Sequence, residues 1–252
     1  MCTVVLLIRP GHEWPLLLAA NRDERLDRPW DPPAAHWRER PRVVAGRDRT
    51  AGGTWMGVNR AGVVATVLNR PDTLGPARGK HSRGELPLLA LDHATAAAAA
   101  GAIGALDASD WRAFNMVIAD REGAWFLRGL GRNRPEMLRL SSGVHMVTSH
   151  DPDDTASARV ARHLPRFRAA PAPTPAAGHA AGWESWRRIL ADDAGAPAEQ
   201  INIPPRDGYG TASSALLALP RAGTPDWLFA AGPPELARLA TVVLPWSAGE
   251  AG

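Results

Sequence analysis

The sequence is short of several residue types, and each shortage excludes a class of protein. Cysteine occurs once in 252 residues, at Cys2, so no disulfide can form within the chain. No apolar run approaches the roughly 18–20 residues that cross a bilayer, so we expect no membrane span. The first residues also lack the basic segment and the long apolar segment of a secretion signal. We therefore expect a cytoplasmic protein.

Lysine is almost absent too, and this explains the charge balance. Lys80 is the only lysine among 29 basic residues, which stand against 26 acidic ones and give a net charge of +3. The pI near 9.9 thus reflects arginine, whose pKa lies above about 12. The densest basic run, residues 38–49, contains acidic residues and no aromatic residue that could stack on a base. We expect no nucleic-acid partner.

The motifs of several common enzyme classes are also missing. The chain has no G-x-S-x-G elbow, no phosphate-binding G-x-x-x-x-G-K-[ST] loop, no H-E-x-x-H and no C-x-x-C pair. A serine hydrolase, an NTPase and a zinc enzyme would each lack their central residues. The eight histidines are scattered along the chain. We expect neither a metal nor a cofactor.

Apolar runs of strand length, separated by turn residues, predict antiparallel hairpins. These runs lie at 3–8, 16–20, 42–46, 54–59, 63–69, 114–120, 124–129, 137–140, 144–149, 209–219, 227–232 and 241–244. Helices are predicted at about 82–106, 154–167 and 183–191, and residues 169–181, rich in Ala and Pro, are predicted to form an extended surface loop. This order indicates one α+β domain over 1–252, with sheets packed on each other and helices outside.

The predicted pairing of strands places polar residues beside the lone cysteine. If 3–8 and 16–20 form a hairpin, the numbers of paired residues sum to about 25, so Cys2 lies beside the stretch 21–24, N-R-D-E. The same arithmetic for 54–59 and 63–69 sets Asn69 opposite Gly52 and Gly53. A backbone without side chains allows a ligand to approach closely. We expect one site at this end of the sheets.

The residues at this site suit nucleophilic catalysis. If Met1 is removed, Cys2 carries a free α-amine with a pKa of ~7.7–8.0, which can act as the base for its own thiol. Arg22 would favour the thiolate, Asp23 would hold the ammonium, and the Asn69 amide would donate to a developing oxyanion. The simpler alternative is that Arg22 and Asp23 form a structural ion pair and that Asn69 ends a strand.

Seven motifs together resemble a known family. They are MCT at the start, NRDE at 21–24, GGTWMGVN at 52–59, VLNR at 67–70, SRGEL at 82–86, FNMVI at 114–118 and YGT-SS at 209–214. This pattern resembles the NRDE family, also called the Transport and Golgi organisation protein 2 family. That family is similar to cysteine N-terminal-nucleophile hydrolases of the penicillin V acylase and bile salt hydrolase type.

The resemblance implies a four-layer αββα sandwich of antiparallel sheets and a hydrolase of linear amide bonds. Its substrate would be a small non-peptide acyl amide or a related ester. Cys2 matches the nucleophile, Asp23 the carboxylate near the amine and Asn69 the oxyanion asparagine. The substrate-binding positions are expected at Asn21, Gly52, Gly53, Ser149 and His150.

Three positions depart from the family pattern. The acylases have an arginine before their Asn-x-Asp motif, where this chain has Ala20 and carries Arg22 inside the motif. The NRDE family usually has a Ser-Asn pair where this chain reads T-S-H at 148–150, so Ser149 replaces the second asparagine. It also usually reads Y-G-T-R-S-S, and Ala212 replaces that arginine. The nucleophile end is thus intact, while the substrate-binding end is altered.

A second hypothesis comes from a different functional class. Eukaryotic members of the family are associated with haem movement and lipid homeostasis, which implies a non-catalytic binding or trafficking protein. Cys2, His145 or His150 would then contact the ligand. The chain has no C-x-x-C-H haem-attachment motif. A visible spectrum of the protein with added haemin distinguishes the two hypotheses.

Overall fold

The computed structural model describes residues 2–175, 180–234 and 237–246, and it contains two antiparallel sheets. The strands are β1 Thr3–Ile8, β2 Leu16–Arg25, β3 Trp30–Ala34, β4 Val43–Asp48, β5 Met56–Asn59, β6 Val64–Asn69, β7 Phe114–Asp120, β8 Gly123–Gly129, β9 Glu136–Leu140, β10 Gly143–Val147, β11 Tyr209–Leu219, β12 Asp226–Ala230 and β13 Ala240–Thr241. The six-stranded sheet has the order β10-β1-β2-β11-β12-β13, and the seven-stranded sheet runs in sequence order from β3 to β9.

Four helices accompany the sheets in the described part of the chain. They are α1 Glu85–Leu91, α2 Ala96–Gly104, α3 Ala158–Ala169 and α4 Glu184–Leu190, with short 3-10 turns at Ala108–Asp110 and Ala181–Trp183. In the part of the chain that the structure covers, every helix is too short or too polar to cross a bilayer.

The alternation of side chains along each strand creates three apolar layers. On β1, Val4 and Leu6 face the other sheet, whereas Val5 faces the helices. The cluster between the sheets joins residues of both sheets, including Leu18 and Val117. Helices α3 and α4 pack on the outer face of the six-stranded sheet, and α1 and α2 pack on the outer face of the seven-stranded sheet. The predicted αββα sandwich is therefore confirmed.

The first hairpin forms as predicted, but its register differs by one. Thr3 pairs with Asn21 and Ile8 with Leu16, so paired numbers sum to 24. Strand β2 also extends beyond the predicted run, through the whole N-R-D-E stretch. It does so because β11 pairs along its full length, from Leu16 to Arg25. The N-R-D-E motif thus lies inside the six-stranded sheet rather than in a loop.

The long helix predicted for 82–106 is wrong, because α1 and α2 are separate helices. The Thr95 hydroxyl accepts a hydrogen bond from the amide of Ala98 at 3.1 Å and so begins α2. At the end of α1, the amide of Asn59 donates to the Leu91 carbonyl at 2.8 Å. A side chain from a distant strand therefore ends the first helix.

Two further segments differ from the sequence prediction. Strand β3 was not predicted, because Pro32 and Pro33 argue against a strand; it lies at a sheet edge, where proline is tolerated. The predicted loop at 169–181 has no regular structure at 171–175, and residues 176–179 lie outside the described residues. Pro173 and Pro175 are nevertheless buried, so this segment packs against the protein more than expected.

Candidate active site

Cys2 lies directly before β1, at the mouth of a small pocket between the two sheets. The residue is half-buried, and its Sγ donates a long hydrogen bond of 3.7 Å to the Asp23 carbonyl. The pocket has a volume of about 20 Å³, which is room for one water molecule. Its lining consists of Cys2, Thr3, Val4, Ala20, Asn21, Arg22, Trp55, Met56, Thr66, Val67, Ser213, Ser214 and Ala215.

Three polar residues on adjacent strands share this pocket, and we call them the Cys2 row: Cys2, Arg22 and Ser213. Ser213 pairs with Arg22 across β11 and β2. The register of β1 with β2, continued by one residue, sets Cys2 level with Arg22. Neighbours on adjacent strands lie about 4.5–5.5 Å apart, so a thiol, a guanidinium and a hydroxyl stand side by side on the face between the sheets.

Arg22 is buried in this row among aromatic rings. Its guanidinium carbon lies 4.3 Å from the centre of the Trp55 ring and 5.9 Å from that of Trp30. Its Nη2 lies 3.6 Å from a Glu24 oxygen, and the side chain is 7% exposed. Burial lowers the pKa of Arg22, while the charges of Cys2 and Glu24 act in the opposite direction. The Nη1 atom is buried and has no hydrogen-bond partner among the described residues.

Asp23 follows Arg22 in β2, so its carboxylate lies on the opposite, helix-covered face of the sheet. There it accepts from Arg159 of α3 at 3.1 Å and from the Thr211 hydroxyl at 2.8 Å. Arg159 also donates to the Thr3 hydroxyl at 3.0 Å. We call Thr3, Asp23, Arg159 and Thr211 the Asp23 cluster. The Asp23 side chain is 0% exposed and that of Arg159 is 2% exposed, so this ion pair is fully buried.

The thiol of Cys2 is uncharged in this environment. Burial raises the pKa of the Cys2 thiol, and the negative charge of Asp23 raises it further. The positive amino terminus, the hydrogen bond to the Asp23 backbone and, last, the charge of Arg22 lower this pKa but do not offset the desolvation of a thiolate. With Met1 in place the thiol is therefore protonated at neutral pH and needs a base before it can react.

The amide of Asn21 ties β2 to the helix layer. Its Nδ2 donates to the carbonyls of Leu190 at 2.9 Å and Ile201 at 3.0 Å, and its Oδ1 accepts from the Ser214 hydroxyl at 2.9 Å. Asn21 contributes to the lining of the Cys2 pocket, but its polar atoms are used on the helix side. Its contacts are those of a residue that positions β2.

Asn69 and the two glycines lie outside the lining of the pocket, among the residues described. Asn69 ends β6, and alternation places it on the face of Ala65 and Val67, which pack with the helix-side cluster. Gly53 lies against the backbone of Gly84, where an added Cβ would come within 2.5 Å of a carbonyl carbon. Gly52 is exposed in a turn at φ +75°. The bare backbone at this point accommodates another segment of the chain.

Ser149 and His150 follow β10, which flanks β1 on the other side from β2. Val4 pairs with Val147, where β10 ends, two residues before Ser149. Ser149 is buried, and its hydroxyl lies 3.2 Å from Nδ1 of His150. Asn115 fixes this segment, because its Nδ2 donates to the His150 carbonyl at 2.6 Å. Ser149 and His150 thus follow the second strand that neighbours β1, outside the described lining of the Cys2 pocket.

The site also contains residues for which the sequence predicts no role. Arg159 lies 136 residues from Asp23 in the chain, and only the fold brings them together. Thr211 and Tyr209 belong to the Y-G-T motif, and the Tyr209 hydroxyl donates to the Asp23 carbonyl at 3.2 Å. Burial raises the pKa of Tyr209, so this hydroxyl stays protonated. Over the described residues, no group of His, Cys, Asp and Glu could hold a metal ion.

The sequence model described as Transport and Golgi organisation 2 matches residues 1–227. The chain belongs to this family. A search of curated proteins found no match for this Transport and Golgi organisation 2 chain.

Solved structures show what fold this family member has. An N-acylethanolamine-hydrolyzing acid amidase ortholog from Caenorhabditis elegans superposes with a TM-score of 0.59 at 11% identity, covering 97% of this chain and 100% of that one. The R18L variant of conjugated bile acid hydrolase from Clostridium perfringens gives 0.56 at 10% identity, covering 97% and 93%. Penicillin V acylase from Agrobacterium tumefaciens gives 0.50 at 15% identity, covering 91% and 83%. At these identities the likeness establishes a hydrolase-like fold.

Proposed function

We propose that the chain is an N-terminal-cysteine amidohydrolase that acts on a small non-peptide acyl amide or ester, with Cys2 as the nucleophile. The observation that carries this proposal is the pocket itself. Its described lining holds a thiol beside a guanidinium and contains no histidine and no carboxylate side chain. A base for the thiol must therefore come from elsewhere, and the α-amine of Cys2 is the group that covalent geometry places nearest.

The reaction follows from that arrangement. Removal of Met1 frees the amine, which takes the thiol proton and becomes an ammonium. The Cys2 sulfur attacks the substrate carbonyl, a C–S bond forms, and the carbonyl π pair moves onto oxygen. The oxyanion collapses and expels the amine or alcohol, which takes the proton from the ammonium. Water then hydrolyses the thioester and restores the thiol.

Asp23 supports the charged form of the amine. Its negative charge raises the thiol pKa of Cys2, and the same charge favours a cation at the same residue. Arg159 and Thr211 hold its carboxylate in one place. Asp23 therefore acts as a fixed charge that stabilises the ammonium formed when the thiol loses its proton.

The small size of the pocket limits which part of a substrate can enter it. A space for one water molecule holds a carbonyl oxygen but no acyl chain. The acyl chain would extend outward past Trp55 and Val67, and substrate specificity would depend on the surface around the mouth. The reducing cytoplasm, where we expect the protein, keeps the single thiol available.

The test is the rate of iodoacetamide alkylation of Cys2 as a function of pH. Three proteins are compared: the chain that begins at Cys2, the same chain with Met1 retained behind an uncleaved extension, and Arg22→Ala in the processed chain. We expect the processed thiol to react at lower pH than the extended one, because only the former has an adjacent amine. Arg22→Ala should shift the profile upward.

Equal titration of all three proteins near 8.5, as for a free cysteine, would contradict the nucleophile role. The haem or lipid-metabolite binding alternative would then be the better one. Adding haemin to the same three proteins and recording the visible spectrum tests this binding alternative independently.

A further inference from the structure

We propose that Arg22 donates the hydrogen bond that stabilises the oxyanion in this pocket, through its Nη1–H, in place of the Asn69 amide. This inference rests on the proposed function and names the residue that performs one step of it. Arg22 would thereby be a catalytic residue that contacts the reacting oxygen, in addition to any effect of its charge on the thiol.

The first argument is the unused hydrogen-bond donor. A buried donor without a partner loses its hydration and gains nothing in return, which destabilises the folded protein. Nη1 of Arg22 is such a donor among the described residues, although the rest of the guanidinium contacts Glu24 and Trp55. A protein that leaves this atom unpaired next to its only thiol has a donor ready for an incoming acceptor.

The second argument is position. Arg22 stands level with Cys2 on the adjacent strand, and both line the same pocket. The volume of about 20 Å³ matches one oxygen atom with its hydrogen bonds rather than a larger group. When the sulfur of Cys2 attacks a carbonyl, the developing oxyanion lies within one bond of the attacked carbon. It therefore develops in the space that the guanidinium borders.

The third argument is rigidity. An effective oxyanion donor is already in place before the reaction and does not need to reorganise. Stacking on Trp55 at 4.3 Å and the approach of Glu24 at 3.6 Å hold the guanidinium in position. Trp55 in turn packs edge-on against Trp30, with ring centres 5.8 Å apart. Aromatic rings thus orient Arg22 without using its Nη1–H.

Asn69 lacks these features. It ends β6 outside the described lining of the pocket, whereas Val67, two residues earlier on the same face, contributes to that lining. The pairing arithmetic correctly brings its strand to this end of the sheets, but it does not specify on which face the amide lies. The amide of Asn69 therefore stands outside the space that the Arg22 guanidinium borders.

Arg22 transfers no proton in this step. The C–S bond forms, the carbonyl π pair becomes a lone pair on oxygen, and the Nη1–H of Arg22 donates to that oxygen. The proton stays on nitrogen throughout, so the guanidinium is unchanged when the oxyanion collapses and the leaving group departs.

The experiment compares two reactions of the same thiol. p-Nitrophenyl acetate acylates it through an oxyanion, whereas iodoacetamide alkylates it by displacement without one. The ratio of the two rates therefore isolates oxyanion stabilisation from thiolate formation and from any loss of folded protein. The ratio is measured for the processed wild type, Arg22→Met, Arg22→Lys, Asn69→Ala and Arg28→Met. The last variant removes a nearby positive charge that acts on Arg22 but leaves the Nη1–H in place.

We expect Arg22→Met to lower the ratio by about 100-fold, as loss of one oxyanion donor does. Arg22→Lys should retain part of the ratio, because lysine keeps a donor but loses the planar geometry. Asn69→Ala and Arg28→Met should stay within about threefold of the wild type, since neither removes a donor from the pocket.

An unchanged ratio in Arg22→Met would overturn the proposal, whatever the other variants do. A fall in Asn69→Ala would contradict the exclusion of that amide. Wild-type protein that is alkylated but never acylated would overturn the proposed hydrolase function and the oxyanion role with it. That last result differs visibly from the first two, in which the wild type is acylated.

Discussion

The two faces of the six-stranded sheet differ sharply around Cys2, although the residues concerned are neighbours in sequence. The Cys2 row lies on the face between the sheets, and the Asp23 cluster lies on the face covered by α3. In the Asp23 cluster a buried carboxylate faces a buried guanidinium at 3.1 Å. In the Cys2 row a buried guanidinium has an Nη1 without a partner in the described structure. Alternation along β1, β2 and β11 separates the two groups.

The Asp23 carboxylate thus has a buried cation as its partner, whereas the described lining of the Cys2 pocket contains no carboxylate side chain. Paired buried charges stabilise a structure only as a pair, so the Asp23 cluster has the character of a structural element. An unpaired buried donor next to a thiol destabilises the fold slightly and suits a ligand. Removing an arginine from the Asp23 cluster should therefore lower mainly the stability of the protein, and removing one from the Cys2 row should lower mainly the reactivity of the thiol.

The largest expected effect is on the Asp23 cluster. Arg159→Met removes the guanidinium that pairs with the buried Asp23 carboxylate, and we expect a loss of about 3–5 kcal/mol in the free energy of unfolding, measured by urea denaturation. Arg166→Met is the matched control on the same helix, because Arg166 is 42% exposed and its pair with Asp192 is only partly buried. Arg166→Met should lower the free energy of unfolding by at most about 1 kcal/mol. Equal losses in the two variants would remove the distinction between buried and surface pairs.

The smaller expected effect on stability is in the Cys2 row. Arg22→Met removes a cation whose Nη1 has no hydrogen-bond partner among the described residues, and the methionine stem can still pack on Trp55. We expect a loss below about 1.5 kcal/mol, since no buried carboxylate is left unpaired. A loss as large as that of Arg159→Met would show that Arg22 is structural and would erase the contrast between the two faces.

The smallest expected effect is at the edge of the same sheet, at His145 of β10. Its Nδ1 lies 2.8 Å from an Asp153 carboxylate oxygen, and its Nε2–H donates to the Ser141 carbonyl. Hydrogen bonding to Asp153 raises the pKa of His145, burial opposes it, and the charge of Arg168 also lowers it. A raised pKa in the folded state stabilises the fold below pH ~6.5 and less as pH rises through the folded pKa.

We therefore expect wild-type stability to fall by about 1 kcal/mol or less between pH 6 and pH 8, relative to His145→Gln. Thermal unfolding of both proteins across this range measures it. The pair is partly exposed, at 12% and 23%, which explains why it contributes less than the buried pair. A stability advantage of the wild type over His145→Gln that grows with pH would contradict this prediction.

The sequence predicted the strands and the end of the sheets at which the site lies, because alternation and pairing are local properties. The runs at 3–8 and 16–20 became β1 and β2, and the hairpin set Cys2 beside Arg22. Pairing arithmetic brought Asn69 to this end of the sheets, but the described lining of the pocket does not include it. Arg159 could not be found, because a helix far along the chain supplies it.

The central claim, that Cys2 becomes a covalent nucleophile once its amine is free, is tested most directly by intact-mass spectrometry. Processed protein, Met1-retained protein and processed Cys2→Ser are sampled over time with p-nitrophenyl acetate. We predict one acetyl group on the processed chain that maps to Cys2, is removed by hydroxylamine and decays as water hydrolyses the thioester. Equal acetylation of the Met1-retained chain, or none at Cys2 of the processed chain, would contradict the claim.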